Sequence, residues 1–363
     1  DFPHLSENKH VLWALLGLAS SLVLSTYFSK LPNDSLEFLV GVLPGAVLCL
    51  LFASALEPKW FALSIVSALF FALLVLTVTC LHIVLLDNHP LDYGTFLSLD
   101  VALLQVPNDI LLFAVFWPVV GWSISSGERL SQKQKRLVGW SYLGLLVALS
   151  VLLGSRSTFL LTVCCAISWL HAGPKPVASR FLLSLIAAGS LLVFLSPAFF
   201  ESLMALPSSS QRLWIWLVSI KMVEPANYFI GVGHGLFGMT FEAARFHIET
   251  PEGLLSDPRR MGWAHNLFIE SWVERGFTGL VSLIWLGWAL LMRILATGLK
   301  APYHRALSGL LLLLLVTSCF ELTLIRPWVC ATFGILIGAV LGLPDSRPHT
   351  RGPFDSDTRY AKT

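Results

Sequence analysis

Residues 60–86 read WFALSIVSALFFALLVLTVTCLHIVLL, from Trp60 to Leu86 without one Asp, Glu, Lys or Arg. A helix rises 1.5 Å per residue, so about 20 apolar residues cross the roughly 30 Å hydrocarbon layer of a bilayer. This run is long enough to do so. It is unbroken rather than alternating, which excludes the strand pattern of an outer-membrane barrel, where apolar and polar residues take turns. The whole chain shares its character. It is 363 residues long, 55% hydrophobic and only 13% charged, with a mean hydropathy of +0.74. A soluble protein carries about 25% charged residues. A water-soluble enzyme is therefore excluded. The net charge of +2 argues neither for nor against a nucleic-acid partner.

Outward from that run, the pattern predicts an all-α polytopic membrane protein with about ten transmembrane helices in this chain. The spans are Val11–Phe28, Glu37–Leu56, Trp60–Leu86, Asp109–Ser125, Leu137–Leu153, Ser157–His171, Phe181–Phe200, Asn266–Met292, Ala306–Leu322 and Pro327–Leu343. The sixth and tenth are short and the eighth long, which leaves room for tilt or re-entry. Four regions follow. Residues 1–200 hold the first seven spans with short loops. Residues 201–265 form one long outer loop with amphipathic helices. Residues 266–343 hold the last three spans, and 344–363 form a polar tail predicted to be disordered.

Lys and Arg orient the chain, because they are enriched in cytoplasmic loops. Arg129, Lys133, Lys135 and Arg136 crowd one loop. Lys175 with Arg180, and Arg293 with Lys300 and Arg305, mark two more on the same side, together with Lys9, Lys59 and the tail. The short loops of the other side hold only Lys30, Arg156 and Arg326. The expectation is a bacterial inner membrane, both termini of this chain cytoplasmic and the long loop periplasmic. The chain starts at Asp1 rather than Met, so native residues are expected upstream. The six cysteines lie in or beside apolar spans, so no disulfide framework is expected. No metal-ligand spacing and no Walker A loop occurs.

Charges that are costly in or near a membrane carry the functional signal. Arg156, in Gly154-Ser155-Arg156-Ser157, lies between two apolar blocks; it is either a topology anchor or a functional cation on the side where anchors are uncommon. Arg212 opens Arg212-Leu213-Trp214-Ile215-Trp216, which reads either as an interfacial helix with a solvated Arg or as a phosphate-binding Arg, the two Trp suiting the headgroup region. Gly231-Val232-Gly233-His234-Gly235 reads as a flexible turn sooner than as a phosphate cradle. His265-Asn266 opens the eighth span, with Glu270 and Glu274 on the following turns. A His at a helix start is usually a cap or a satisfied interfacial group. Its placement on the same side as Arg156 and Arg212 instead suggests a proton-accepting group beside an anionic lipid substrate. Glu321 and Arg326 flank an outer turn, where a structural pair is favoured over a substrate contact. Val106-Pro107-Asn108-Asp109 has no assigned role.

The order Ser155-Arg156, Arg212-x-x-Ile215-Trp216, Gly231-x-Gly233, His265-Asn266-x-x-Ile269-Glu270 and Gly276-x-x-Gly279 resembles the O-antigen ligase/polymerase superfamily, integral-membrane glycosyltransferases of the GT-C type. The motif resemblance runs from about Gly94 to Leu295. It implies a GT-C-type helical bundle that takes a glycan from undecaprenyl diphosphate on the periplasmic face, with inversion and with neither a metal nor another cofactor. Arg156 and Arg212 would bind the donor diphosphate. His265 would be the general base or the residue orienting the acceptor hydroxyl, with Gly231, Gly233, Asn266 and Glu270 in supporting positions. Members of that family commonly have more spans than the ten read here, and further N-terminal spans would supply the difference.

Within the family a ligase uses a sugar hydroxyl of the lipid A core as acceptor, and a polymerase uses a second undecaprenyl-linked repeat. Polymerases often carry two sizeable basic outer loops. Here the outer stretch Asp87–Asp109 has no Lys or Arg, which favours the ligase. A transporter of polyprenyl-linked glycans would hold its charges near the bilayer midplane, whereas these gather at the outer edge. The expected partners are thus the undecaprenyl-diphosphate-linked glycan, the lipid A core and the bilayer, and no nucleic acid.

Overall fold

The computed structural model describes residues 8–85, 110–152, 155–171, 207–297, 301–319 and 322–343, apart from 128, 129, 253, 259 and 325. The described residues form helices and connecting turns without a strand: α1 (Lys9–Tyr27), α2 (Pro32–Ala55), α3 (Pro58–Leu85), α4 (Leu111–Val115), α5 (Trp117–Ser126), α6 (Gln132–Leu152), α7 (Arg156–His171), α8 (Pro207–Lys221), α9 (Phe237–Ala244), α10 (Leu267–Ala296), α11 (Pro302–Ser318) and α12 (Pro327–Leu341). Five of these begin on Pro, whose missing N–H costs nothing in the first turn of a helix. The expected span Phe181–Phe200 lies outside the described residues.

Helices α1, α2 and α10, together with residues Pro58–Thr79 of α3, are long and apolar enough to cross a membrane. Their outward faces are apolar too. Phe71, Leu74, Leu48 and Trp288 are all exposed, a surface that water would penalise and lipid would not. The chain is a polytopic helical membrane protein.

Small residues set the closest packing. Gly334 and Gly338 of α12 and Gly342 at its C-cap recur every fourth position on one stripe. A Cβ on the first two would strike the Ala46 and Leu50 carbonyl oxygens, and one on the third would lie 3.0 Å from the Ser54 carbonyl. The partners on α2 also step by four and in the same direction, so α2 and α12 run parallel with backbones nearly touching, the small-xxx-small mode of membrane helix pairs. Helices α1 and α10 run antiparallel. Gly17 faces the Ser282 hydroxyl at 3.1 Å, and the Ser25 hydroxyl donates to the Glu274 carbonyl at 2.5 Å.

The expected fourth span is two helices. Pro118 has no N–H and its ring crowds the preceding turn, so the chain breaks at Phe116 and resumes as α5. The eighth span agrees closely with α10 but is not continuous: Gly276, at φ 63° and ψ −159°, interrupts it.

The basic loops share one end of the bundle. Trp122 near the end of α5 packs on Tyr303 at the start of α11, and so does Phe61 at the start of α3. Lys135 donates to the Ser125 carbonyl at 2.7 Å across the α5–α6 turn. The candidate site lies at the opposite end, with the α1–α2 turn, the α11–α12 turn and the start of α10.

Candidate functional site

Residues 207–265 form a folded cap over that opposite end. Trp214, Val218, Phe237, Phe241 and Met261 build its own core against Val273 of α10. Trp214 is 3% exposed and donates its indole N–H to the Thr250 hydroxyl at 3.0 Å. The sequence expectation had set Trp214 and Trp216 in the headgroup region. The structure turns both inward, because the cap supplies an apolar interior and a partner for each indole N–H.

The glycine stretch 231–235 is a fitted joint. Gly231, Gly233 and Gly235 all take positive φ (81°, 124° and 76°). The Gly231 amide donates to the Asn227 carbonyl at 2.7 Å, the Val232 amide to the Val273 carbonyl at 2.9 Å and the Gly233 amide to the Glu274 carbonyl at 3.1 Å. These last two carbonyls precede the break at Gly276. On the far side of the break, the Phe277 amide donates to the Tyr228 carbonyl at 2.7 Å. A Cβ on Gly231 would strike the Glu274 backbone, and one on Gly276 would strike Phe229 and Ile230. The Val232 and Gly233 amides thus satisfy a broken helix, and the flexible turn expected from composition is a close backbone contact. The α1–α2 turn grips the same stretch, with the Ser35 hydroxyl donating to the His234 carbonyl at 2.8 Å.

Beneath the joint lies a buried polar cluster. His234 Nδ1 is 3.1 Å from Glu274 Oε2, and both side chains are almost completely inaccessible. The Phe237 amide donates to the other Glu274 oxygen at 3.4 Å. Arg275 is also fully buried, and its charge acts on both Glu270 and Glu274. Carboxylates inside an apolar bundle persist only with such partners.

His265 is held from several directions. Asn266 is the N-cap of α10, its side-chain oxygen accepting from the Phe268 and Ile269 amides at 3.0 and 3.1 Å. Its side-chain amide donates to the Cys319 carbonyl at 3.1 Å, tying the start of α10 to the α11–α12 turn. Glu270 accepts from the Ala264 amide at 3.4 Å and from the Thr323 hydroxyl, linking the residue before His265 to the same turn. The Trp263 indole donates to His265 Nδ1 at 3.3 Å, and the Arg326 guanidinium lies 4.4 Å from the centre of the Trp263 ring. On the cap side, the Trp216 indole donates to the Ala264 carbonyl at 3.0 Å. The outcome is a left-handed His265 backbone at φ 52°, the one positive φ on a described residue other than glycine.

Arg212 lies one turn before Trp216 on the same face of α8, since residues four apart are neighbours on a helix. It is half-buried. Trp216 bonds the residue next to His265, so α8 packs beside the stretch that leads into α10. Arg156 is the first residue of α7, preceded by Ser155, whose hydroxyl is 2.7 Å from that of Thr158. Helix α7 packs on α6 and α4. Arg212 thus shares a helix face with Trp216, which bonds the residue next to His265, and Arg156 is placed at a helix start.

Three contributors to this end went unassigned from sequence: Trp263, Thr323 and the His234–Glu274 pair. Their partners lie two, 53 and 40 positions away. Only the first is local, and a Trp two residues before a His carries no distinctive signal.

No curated protein matches the chain. Residues 141–284 match the family model described as O-antigen ligase, a segment that contains Arg156, Arg212, the glycine joint, His265 and the break at Gly276. Over these residues the chain is similar to the O-antigen ligase family.

Proposed function

We propose that this protein is an O-antigen ligase. In this reading it transfers a polysaccharide from undecaprenyl diphosphate to a sugar hydroxyl of the lipid A core, at the periplasmic face of a bacterial inner membrane. The observation that carries the proposal is the clamped His265 beside the Arg212 helix, within the segment that matches the O-antigen ligase family. The full span count of ten and a GT-C bundle belong to the same reading. So does the orientation: the end bearing Lys59, Lys135 and Arg305 faces the cytoplasm, by the excess of Lys and Arg in inner loops.

The acceptor hydroxyl attacks the anomeric carbon of the donor from the face opposite the diphosphate. The new glycosidic bond forms as the bond to the phosphate oxygen breaks, and configuration inverts. The diphosphate leaves with the bonding electron pair and gains charge. Arg156 and Arg212 meet that charge, and groups fixed where charge grows stabilise the transition state more than the ground state. A guanidinium pairs two phosphate oxygens at once. With two arginines in that role the reaction as proposed runs without a metal. His265 faces the acceptor, as its base or as the group that orients it. Gly231 and Gly233 shape the joint that holds the cap, while Asn266 and Glu270 hold the backbone around His265.

Purified protein in liposomes, given a defined undecaprenyl-diphosphate donor and both lipid A core and a second donor molecule as acceptors, tests the assignment. Glycan on lipid A core is expected, undiminished by EDTA. Products of donor joined to donor would make the protein a polymerase. His265→Ala is expected to abolish transfer. Arg156→Lys and Arg212→Lys are expected to weaken donor binding, since Lys lacks the bidentate fork. Wild-type rates in all three variants would remove the site.

A further inference from the structure

We infer that Arg275 is a positioning residue: the buried counter-ion that lets Glu274 carry its charge inside the bundle and so fastens the cap to the broken helix α10. The inference rests on the reading above, that the cap end carries glycan transfer. Glu274 is the hub of that fastening. Its backbone carbonyl takes the Ser25 hydroxyl and the Gly233 amide, and its carboxylate takes the Phe237 amide and faces His234 Nδ1. One residue thereby joins α1, the glycine joint and the start of α9 to α10. All of this is out of reach of water, with Glu274 at 0% exposure and His234 at 1%. A carboxylate in such a place needs a nearby cation.

An imidazole is a cation only when protonated, whereas a guanidinium always is one. Arg275 is therefore the permanent positive charge of the cluster. It is 0% exposed, and among the described residues the ionisable groups within reach of its charge are Glu274, Glu270 and Cys330. The chain makes room for it. The Arg275 stem lies over Gly279, where a Cβ would strike Arg275 Cβ and stand 3.3 Å from its Cγ and Cδ. None of the three guanidinium nitrogens makes a hydrogen bond. What Arg275 supplies is thus charge rather than a directed fork.

The same charge reaches the stretch before α10. Glu270, one turn before Glu274, holds the Ala264 amide and the Thr323 hydroxyl under the Arg275 guanidinium. The Ala264 carbonyl is held from the cap by Trp216. A cap that lifted from Glu274 would draw on that bond, and with it on the residue before His265.

The test takes the whole protein and reads three things: melting in detergent, protease cleavage between residues 222 and 236, and transfer from the lipid-linked donor to lipid A core. Arg275→Met keeps the stem and removes the charge. It should melt lower by about 5 °C or more, expose the glycine joint to protease and lose transfer about tenfold or more. Arg275→Lys keeps the charge and should stay within about threefold of wild type, in contrast to the Lys variants of Arg156 and Arg212. Adding Glu274→Gln to Arg275→Met removes the carboxylate left without its cation, while the Gln oxygen can still accept from Phe237 and its amide can donate to His234 Nδ1. The double variant should recover most of the melting temperature, protection and transfer that Arg275→Met loses. A role in packing alone predicts the opposite, a double variant worse than either single one. Wild-type behaviour of Arg275→Met, a Lys variant as impaired as Met, or a double variant no better than Arg275→Met would each overturn the inference, as would a loosened cap with undiminished transfer. Should Arg275→Met fail to fold, the folded yields of the Lys and double variants decide in the same sense. Full transfer by His265→Ala would instead remove the reading of the site, and the melting and cleavage results would still decide whether Arg275 fastens the cap.

Discussion

At the residue scale, His265 combines a proposed chemical role with an unfavourable backbone. A side chain at φ 52° costs of order 1 kcal/mol or more relative to glycine, because Cβ crowds the carbonyl. The two properties can be separated. His265→Gly should unfold at a higher temperature than His265→Ala, by the equivalent of about 1 kcal/mol, while both lose transfer; melting in detergent alongside the transfer assay reads the two effects independently. Equal melting of the two variants would mean that the loop relaxes on truncation and that no strain is stored. The residues proposed to carry chemistry were legible in the sequence as costly charges in order along the chain: Arg156, Arg212, then His265-Asn266. What sets His265 in place was not. Thr323 and Arg326 meet the stretch around His265 only because the α11–α12 turn folds beside the start of α10. The expected pairing of Glu321 lies outside the described residues; Arg326 lies over the Trp263 ring, a contact between a charge and an aromatic face that no spacing rule announces.

At the scale of elements, apolar runs located the helices to within a few residues, since each run must end where the chain leaves the apolar layer. The breaks inside runs divide into two kinds. Pro118 is visible in sequence, and its missing N–H explains why α4 and α5 are separate. The break in α10 was hidden, because the run reads as one span across Glu274, Arg275 and Gly276, and an isolated glycine is tolerated in a helix. Its cause is the segment 228–235, whose backbone hydrogen-bonds to both sides of the break. This makes Gly276 and Gly287, on the same helix, very different sites. A Cβ at Gly276 meets the Phe229 and Ile230 backbone at positive φ, whereas one at Gly287 meets only the Leu315 side chain at 3.4 Å. Gly276→Ala should cost about 2 kcal/mol or more and release the cap, seen as a lower melting temperature and new protease sensitivity between residues 222 and 236. Gly287→Ala should be neutral or stabilising by up to about 1 kcal/mol, through helix propensity alone. If both behave alike, the joint does not hold the cap.

At the scale of the whole molecule, the same chain must keep two unlike ends. One end carries basic turns, with Lys135 bound to the Ser125 carbonyl and Tyr303 packed between Trp122 and Phe61. The other carries the cap, the glycine joint and His265. The bundle between them fixes the separation: α1 and α10 run antiparallel, and α2 and α12 run parallel through the glycine stripe of α12. Transfer of a lipid-linked glycan at the periplasmic face requires the cap end to be outside. Glu249 in the cap and Lys133 in the α5–α6 turn region are both exposed and can report the two sides. In a background with the six native cysteines replaced, Glu249→Cys should react in intact spheroplasts with a membrane-impermeant maleimide. Lys133→Cys should react only after the membrane is opened, as expected for a basic inner loop. The reverse pattern would place His265 in the cytoplasm, away from lipid A core awaiting its polysaccharide, and would end the ligase proposal even if every residue around His265 proved essential.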